Sequence, residues 1–255
     1  MGEPYYRDGH LELWHGDMRD ILPTLDHVDA VVTDPPYGST TATWDRWIDG
    51  WPDLVGTVMP ESASLWSFGT ARMFLDHADD FAGWKFGQEA LWAKRNGSGP
   101  GSRDRLGVVH EWAYHWYRGR WLDLHHEWER ERATANKGTV RRAASAAAHQ
   151  RERRETTWVD DGTRQPRSVT WVIEAPSVRF EGRHPDEKPL KVVLPLVREC
   201  TPPGGTVLDP FAGAATTLLA AKMIGRRAVG IEASEATCEV AARRLSTPDL
   251  FTDAS

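Results

Sequence analysis

Cysteine is nearly absent: Cys200 and Cys238 are the only two among 255 residues. One pair makes no disulfide framework, and so small a supply fits a reducing cytoplasm. Long apolar runs are also missing. No stretch approaches the roughly 18 consecutive apolar residues of a membrane helix, so no membrane partner is expected. The opening MGEPYYR has no basic region followed by an apolar one and is not a signal peptide. Tyr6 stands where a myristoylation signal needs Ser or Thr. Metal-ligand spacing is lacking too. His110 and His115 in HEWAYH are five apart rather than four, in a stretch that reads as strand. HHEWERER reads as a solvated charged face, and no metal site is expected. Positive charge is short overall. The net charge of -6 does not suit a protein that coats nucleic acid with its whole surface.

What charge there is lies unevenly. From Arg130 to Arg154 eight basic residues stand against two acidic ones, and the rest of the chain is then near -12. Such a basic patch on an acidic body is compatible with local phosphate contact. Thirteen tryptophans are many for this length; some belong to the core, and others suit stacking on bases or lining a groove. With 40% hydrophobic residues the chain can bury a sizeable core.

The order of elements is alternating. HLELWHGD reads as a strand, and MRDILPTL has apolar residues at helical spacing. VDAVVTD is a buried β-branched strand ending at Asp34. A helix around 47–59, the strand SASLWSF, a helix over 71–81 and the strands FGQEALWAK and HEWAYHWYR follow. NGSGPGSRDR is a Gly-rich loop. The pattern breaks over 119–181, which reads as an insertion with turn residues and then a short strand in DDGTRQPRSVTWVIEAP, and α/β order returns with EKPLKVVLPLVRECT. Next come the strand before Asp209, a helix stopped by Gly225, the strand RRAVGIEAS, and a helix capped by Ser234. This alternation predicts an α/β fold with a doubly wound, mostly parallel sheet. The expected parts are a first core half (1–118), the insertion (119–181), a second core half (182–246) and a tail (247–255). Ligands of such sheets bind beyond the carboxyl ends of the strands. That rule gathers Asp17, Asp34, Asp209 and Glu232 on one edge.

Two of those strand ends carry chemistry. In VLDPFAGAATT, Val207 to Thr217, a strand enters a one-glycine loop and opens a helix. Backbone N–H groups at such a helix start favour an anion. The dinucleotide pattern G-x-G-x-x-G is absent, because Ala215 stands where a second glycine would be. A smaller anion, such as a carboxylate, fits better than a pyrophosphate. Glu232 follows about 20 residues on, where an acid binds ribose hydroxyls. Loop and acid together suggest a nucleoside cofactor bearing a carboxylate, a description that S-adenosylmethionine meets. The other strand end is VVTDPPYGST, Val31 to Thr40. Pro35 and Pro36 have no N–H and fixed φ, which makes a rigid corner. The Asp34 carboxylate and the Pro35 carbonyl offer two acceptors at fixed spacing, matched to the two donors of an exocyclic amine. Tyr37 would stack on the base, for about 1–3 kcal/mol. Such a site works by positioning and electrostatics, without a covalent intermediate.

These motifs, in this order, resemble the amino-group DNA methyltransferases of the permuted β type. In that family the target-amine motif precedes the S-adenosylmethionine loop, as DPPYG here precedes DPFAGAATT. HPDEKPLKVV resembles the family segment His-Pro-x-x-Lys-Pro. The resemblance covers roughly 10–120 and 180–245. It implies a Rossmann-like, S-adenosylmethionine-dependent methyltransferase fold with an inserted target-recognition region. It also implies methyl transfer to a flipped base in DNA. By it, Asp34, Pro35, Pro36 and Tyr37 are catalytic. Asp17, His184, Lys188, Asp209, Phe211, Ala212, Gly213, Thr216, Thr217 and Glu232 bind the cofactor. Asp17 would face its adenine and Lys188 its carboxylate. Arg141, Arg142, Arg151, Arg153 and Arg154 of the insertion are candidate DNA contacts. The Asp form of the corner resembles adenine-N6 enzymes, with cytosine N4 as the alternative. A homodimer and a cognate restriction nuclease are candidate partners, in a bacterial or phage-infected cytoplasm, as in restriction-modification. One departure stands out: the family loop usually reads Phe-Ala-Gly-Ser-Gly-Thr-Thr, and the Ala215 methyl could crowd the cofactor or alter the turn.

Rival readings explain less. C5-cytosine chemistry needs a thiolate, and both cysteines read as small core residues. RNA and protein-glutamine methyltransferases usually place the cofactor loop before the corner. A nicotinamide oxidoreductase would want the full glycine pattern. A non-catalytic nucleic-acid-binding subunit that kept the fold is the other alternative, against which Asp34, Tyr37, Lys188 and Glu232 all stand intact.

Overall fold

The computed structural model describes residues 2–94, 109–127, 172–177 and 187–247. All of them belong to one compact unit, drawn from Met1–Trp128 and Trp171–Ser255.

The chain opens with β1 (Tyr6–Asp8) and β2 (Leu11–His15), then α1 (Met18–Ile21) and the central strand β3 (Ala30–Thr33). Next come α2 (Trp51–Gly56), β4 (Ser64–Gly69), α3 (Ala71–Asp76), β5 (Lys85–Lys94) and β6 (His110–Tyr117). Then follow β7 (Val172–Ala175), α4 (Leu190–Cys200), β8 (Thr206–Asp209), α5 (Thr216–Met223), β9 (Arg227–Glu232) and α6 (Glu235–Ser246).

The nine strands form one sheet in the order β1-β2-β9-β8-β3-β4-β6-β5-β7. β2, β9, β8, β3 and β4 are mutually parallel, and β6 runs against β4. The sheet is therefore mostly parallel and doubly wound, as the alternation predicts. β3 leads to β4 on one side, and β8 leads to β9 on the other. The switch point lies between β3 and β8, where such sheets open a crevice.

Strands buried on both faces read as continuous apolar runs, and β3 is buried at all four positions. Its alternation divides the core. Ala30 and Val32 face a cluster with Val193, Leu196 and Val197 of α4, Leu218 of α5 and Cys238 and Leu245 of α6. Val31 faces the opposite cluster, with Met18, Trp51, Val55 and Phe74. Both cysteines are free and buried, and burial pushes the Cys238 thiol up to about 12. Neither offers a thiolate.

One strand departs from the expectation. β1 is too short and too polar to show periodicity, and it forms only by pairing antiparallel with β2. β7 is the short strand expected late in the insertion stretch, and it pairs in parallel with β5 at the sheet edge. Trp92 Nε1 donates to Ala175 O at 2.9 Å there. The helix expected over 71–81 splits into α3 and a 3-10 turn at Ala78–Phe81.

Candidate active site

The corner after β3 hangs on Asp34. Tyr37 Oη donates to Asp34 Oδ1 at 2.7 Å. Lys188 Nζ bonds Asp34 Oδ2 and lies 3.4 Å from Glu111 Oε2. Glu111 Oε1 in turn pairs with Lys94. Four side chains from β3, β5, β6 and the approach to α4 thus alternate in sign: Asp34, Lys188, Glu111, Lys94. Lys188 also lies over the rings of Phe68 and Tyr37, at 5.5 and 5.7 Å. Burial disfavours the ammonium of Lys188, but the two carboxylates outweigh it and raise its pKa. Asp34 is raised by burial and by Glu111, with Lys188 and Tyr37 pulling it back. Glu111 is lowered: burial pushes it up, and Lys188 and Lys94 more than offset that.

The segment beyond the corner is held by one buried acid. Asp45 accepts from the backbone N–H groups of Gly38, Ser39 and Thr40 at 2.8, 3.0 and 2.7 Å. Trp44 beside it is 57% exposed at the cleft mouth. Farther on, Asp80 accepts from Trp47 Nε1 at 2.5 Å and Gly50 N at 3.2 Å. Asp49, His77 and Asp80 are close enough to hold a metal ion. With both Asp80 oxygens taken by N–H donors, the group reads as a structural lock.

The second half of the site begins where β8 ends. Asp209 accepts from Thr33 Oγ1 at 2.7 Å and from Phe211 N at 3.2 Å, tying β8 to β3. Burial raises its pKa to about 6. The loop then reaches α5 through two left-handed residues, Gly213 (φ +51) and Ala215 (φ +61). A Cβ on Gly213 would meet only Phe211 O, at 4.0 Å, so that residue leaves open space at the loop. Ala215 differs: it is fully buried, packs in the core and does not line the cleft. Its methyl group therefore does not crowd the crevice. Ala215 heads α5 with no side-chain cap, which leaves the first N–H groups of the helix to an anion. Glu232, at the end of β9, accepts from Gly213 N at 3.0 Å and Ser234 N at 2.8 Å, stapling loop to strand. Asp17 caps α1 through Arg19 N at 2.9 Å, and its ion pair with Arg19 keeps its carboxyl low. Behind the loop, Arg244 donates to Ala214 O and Thr216 Oγ1 at 2.8 and 2.9 Å and pairs with Glu187 at 2.7 Å. Arg244 thus ties α6 to the segment carrying Lys188.

The two halves open on one cleft of about 640 Å³. It is lined by Asp17, Asp34, Pro35, Pro36, Tyr37, Lys188, Asp209, Phe211, Ala212, Gly213, Thr216, Thr217 and Glu232. Each was expected at a site from the sequence. His184 and the arginines Arg141, Arg142, Arg151, Arg153 and Arg154 lie outside the described residues. Glu111, Lys94, Thr33, Asp45 and Arg244 were not foreseen. They act across strands or from distant helices, and no local pattern marks them. The donor set fits a nucleoside that carries a carboxylate: acids for hydroxyls, the ring of Phe211, and the start of α5 for the anion. Across the same cleft, Asp34 presents acceptors.

The comparisons agree with this geometry. A family model described as DNA methylase, of the N6/N4 type, matches residues 28–243. The type II methyltransferase M.ScaI of Streptomyces caespitosus is 26% identical over 272 residues, spanning 96% of this chain and 84% of that protein. Among solved structures, the M1.HpyAVI–SAM complex aligns at a TM-score of 0.63 and 20% identity, covering 92% of this chain and 99% of that one. The PvuII DNA methyltransferase, named as cytosine-N4-specific, aligns at a TM-score of 0.69 and 12% identity, covering 97% of this chain and 90% of that one. At those identities the two structures speak for the fold alone.

Proposed function

The chain belongs to the N6/N4 DNA methylase family, and on that premise we propose that it transfers the methyl group of S-adenosylmethionine to adenine N6 in DNA. The observation that carries the reading is the convergence of Asp34 and Glu232, from two distant segments, on one cleft. When bound, S-adenosylmethionine supplies an electrophilic methyl group on a sulfonium sulfur. Glu232 and Asp17 would hold its hydroxyls and adenine, Phe211 would pack on its ring, and the start of α5 would take its carboxylate. Asp34 and the Pro35 carbonyl accept the two N–H bonds of the target amine. That grip draws electron density onto the nitrogen and aims its lone pair at the cofactor half. Tyr37 supports Asp34 and offers its ring to the base. No side chain forms a covalent bond with the substrate. The amine proton leaves through Asp34 to solvent after transfer.

The target base must be flipped out of the duplex, or presented single-stranded, to reach Asp34. The basic insertion, with Arg141, Arg142, Arg151, Arg153 and Arg154, is the proposed DNA contact, and a homodimer and a cognate nuclease are its proposed partners. The Asp form of the corner favours adenine N6, and its grip suits cytosine N4 as the second reading. Tritium transfer from labelled S-adenosylmethionine to unmethylated genomic DNA, with nucleoside analysis, tests this. N6-methyladenine is expected, and N4-methylcytosine would move the target to the other amine. Asp34→Ala should lose transfer at least about 100-fold while keeping cofactor binding. Equal activity would remove Asp34 from its assigned role, and wild-type inactivity with bound cofactor would favour a non-catalytic binding subunit.

A further inference from the structure

The four alternating charges that end on Asp34 raise a question the reaction alone does not answer. Both Asp34 oxygens are engaged, Oδ1 by Tyr37 and Oδ2 by Lys188. To grip an incoming amine, Asp34 must accept it on a remaining lone pair beside these partners or surrender one of them. Lys188 is only 10% exposed, so it has no water to retreat into. An ammonium left unpaired at such a depth is costly. Glu111 lies 3.4 Å from the Lys188 ammonium and is itself part of the cleft wall. Its other oxygen is neutralised by Lys94, whose side chain rests over the Trp92 ring at 4.7 Å.

We propose that Glu111 is a positioning residue that receives Lys188 when the target amine enters, freeing Asp34 Oδ2 to accept the amine without leaving a buried charge unpaired. Lys94 sets how strongly Glu111 competes for Lys188. The inference rests on the reading of Asp34 as the amine acceptor. No bond to substrate is made by Glu111 or Lys94. The charged or titratable groups facing Asp34 are Lys188, Glu111, Tyr37 and, from β8, Asp209.

The two outer residues allow a test with opposite signs. In Glu111→Gln, Lys188 has only Asp34 to pair with. The amine then competes against an undivided ion pair, and kcat should fall about tenfold to a hundredfold, the rate equivalent of one hydrogen bond to a charged group. The negative charge that raises Asp34 is also gone, so the acid limb of kcat/KM should move to lower pH. In Lys94→Met, Glu111 loses its neutralising partner and draws Lys188 away from Asp34. The acid limb should then move to higher pH. S-adenosylmethionine affinity, measured by equilibrium dialysis, should stay within about twofold in both. Limbs moving in opposite directions at constant cofactor affinity would support the proposal, because general loosening of the fold cannot produce that pattern. Wild-type rate and profile in Glu111→Gln would overturn it, as would a parallel loss of cofactor affinity with the limb unmoved. Should Glu111→Gln fail to fold, Lys94→Met alone decides by the direction of its limb. Asp34→Ala separates the two levels: an active Asp34→Ala defeats the reading of the site, whereas an inactive Asp34→Ala beside an unaltered Glu111→Gln defeats only this inference.

Discussion

Replacing Lys188 with methionine keeps the stem of the side chain and removes its charge. The ammonium lies over the rings of Tyr37 and Phe68, so its weak cation–π contacts go with the charge. What remains is a pair of neighbouring carboxylates in a partly buried site. Glu111 still has Lys94, so Asp34 is the one left uncompensated. Removing one partner of a buried ion pair costs about 3–5 kcal/mol. Asp34 is 27% exposed, which places the expected loss near the low end, about 3 kcal/mol at pH 8. For a domain of this size that is roughly 6–12 °C in Tm. The loss should depend on pH with a definite sign. Without Lys188, the folded-state pKa of Asp34 rises further above its unfolded value. A raised carboxyl contributes stability that is present at low pH and lost as pH rises through the folded pKa. The deficit should therefore be small near pH 5 and should grow toward pH 8. Activity should follow the same titration, with the acid limb of kcat/KM displaced upward. Urea denaturation at pH 5, 6, 7 and 8, with methyl transfer at each pH, measures both. A deficit that does not change with pH, or none at all, would refute the idea that Lys188 carries the charge of Asp34.

Ala215→Gly tests the left-handed position at the head of α5. The strain relieved is about 1–2 kcal/mol. Against it stand a lost buried methyl of about 0.8 kcal/mol and the greater chain entropy of glycine, about 0.5–1 kcal/mol. Urea denaturation should find the variant within about 1 kcal/mol of wild type, with cofactor affinity unchanged because the methyl group lies in the core. Asp209→Asn keeps an acceptor for Thr33 and removes a charge that burial penalises. With the folded pKa raised from 3.8 to about 6, the variant should be the more stable above pH 6 and should lose that advantage below about pH 4. Thermal melts across that range would show it. Glu232→Gln turns one oxygen, now facing the N–H of Gly213 or Ser234, into a competing donor. Calorimetry should show cofactor affinity about tenfold to a hundredfold weaker, with kcat at saturation changed less.

Much of this molecule is legible in one dimension because its signals are local. A β-branched run such as Ala30–Thr33 makes a buried strand wherever it sits, and prolines after Asp34 stiffen the corner through their own rings. The alternation of strand and helix then implies a parallel sheet, and a parallel sheet gathers the strand ends. So Asp17, Asp34, Asp209 and Glu232 were placed on one edge by sequence alone, and the cleft holds all four. The direction of the Ala215 methyl group, by contrast, depends on what packs beneath the loop. The short strand β7 was legible in its Val-Ile pair, but its place beside β5 at the sheet edge was not. Above all, the partner of Lys188 was out of reach. The resemblance points Lys188 toward a cofactor carboxylate and says nothing of its ion pairs with Asp34, 154 residues away, and Glu111 on β6. Local sequence determined which residues stand at the strand ends and rigid turns that line the cleft, since those are set by neighbouring residues. Tertiary structure alone decided which charge faces which, because Coulomb pairing in a buried site depends on a few ångströms between segments that share no local signal.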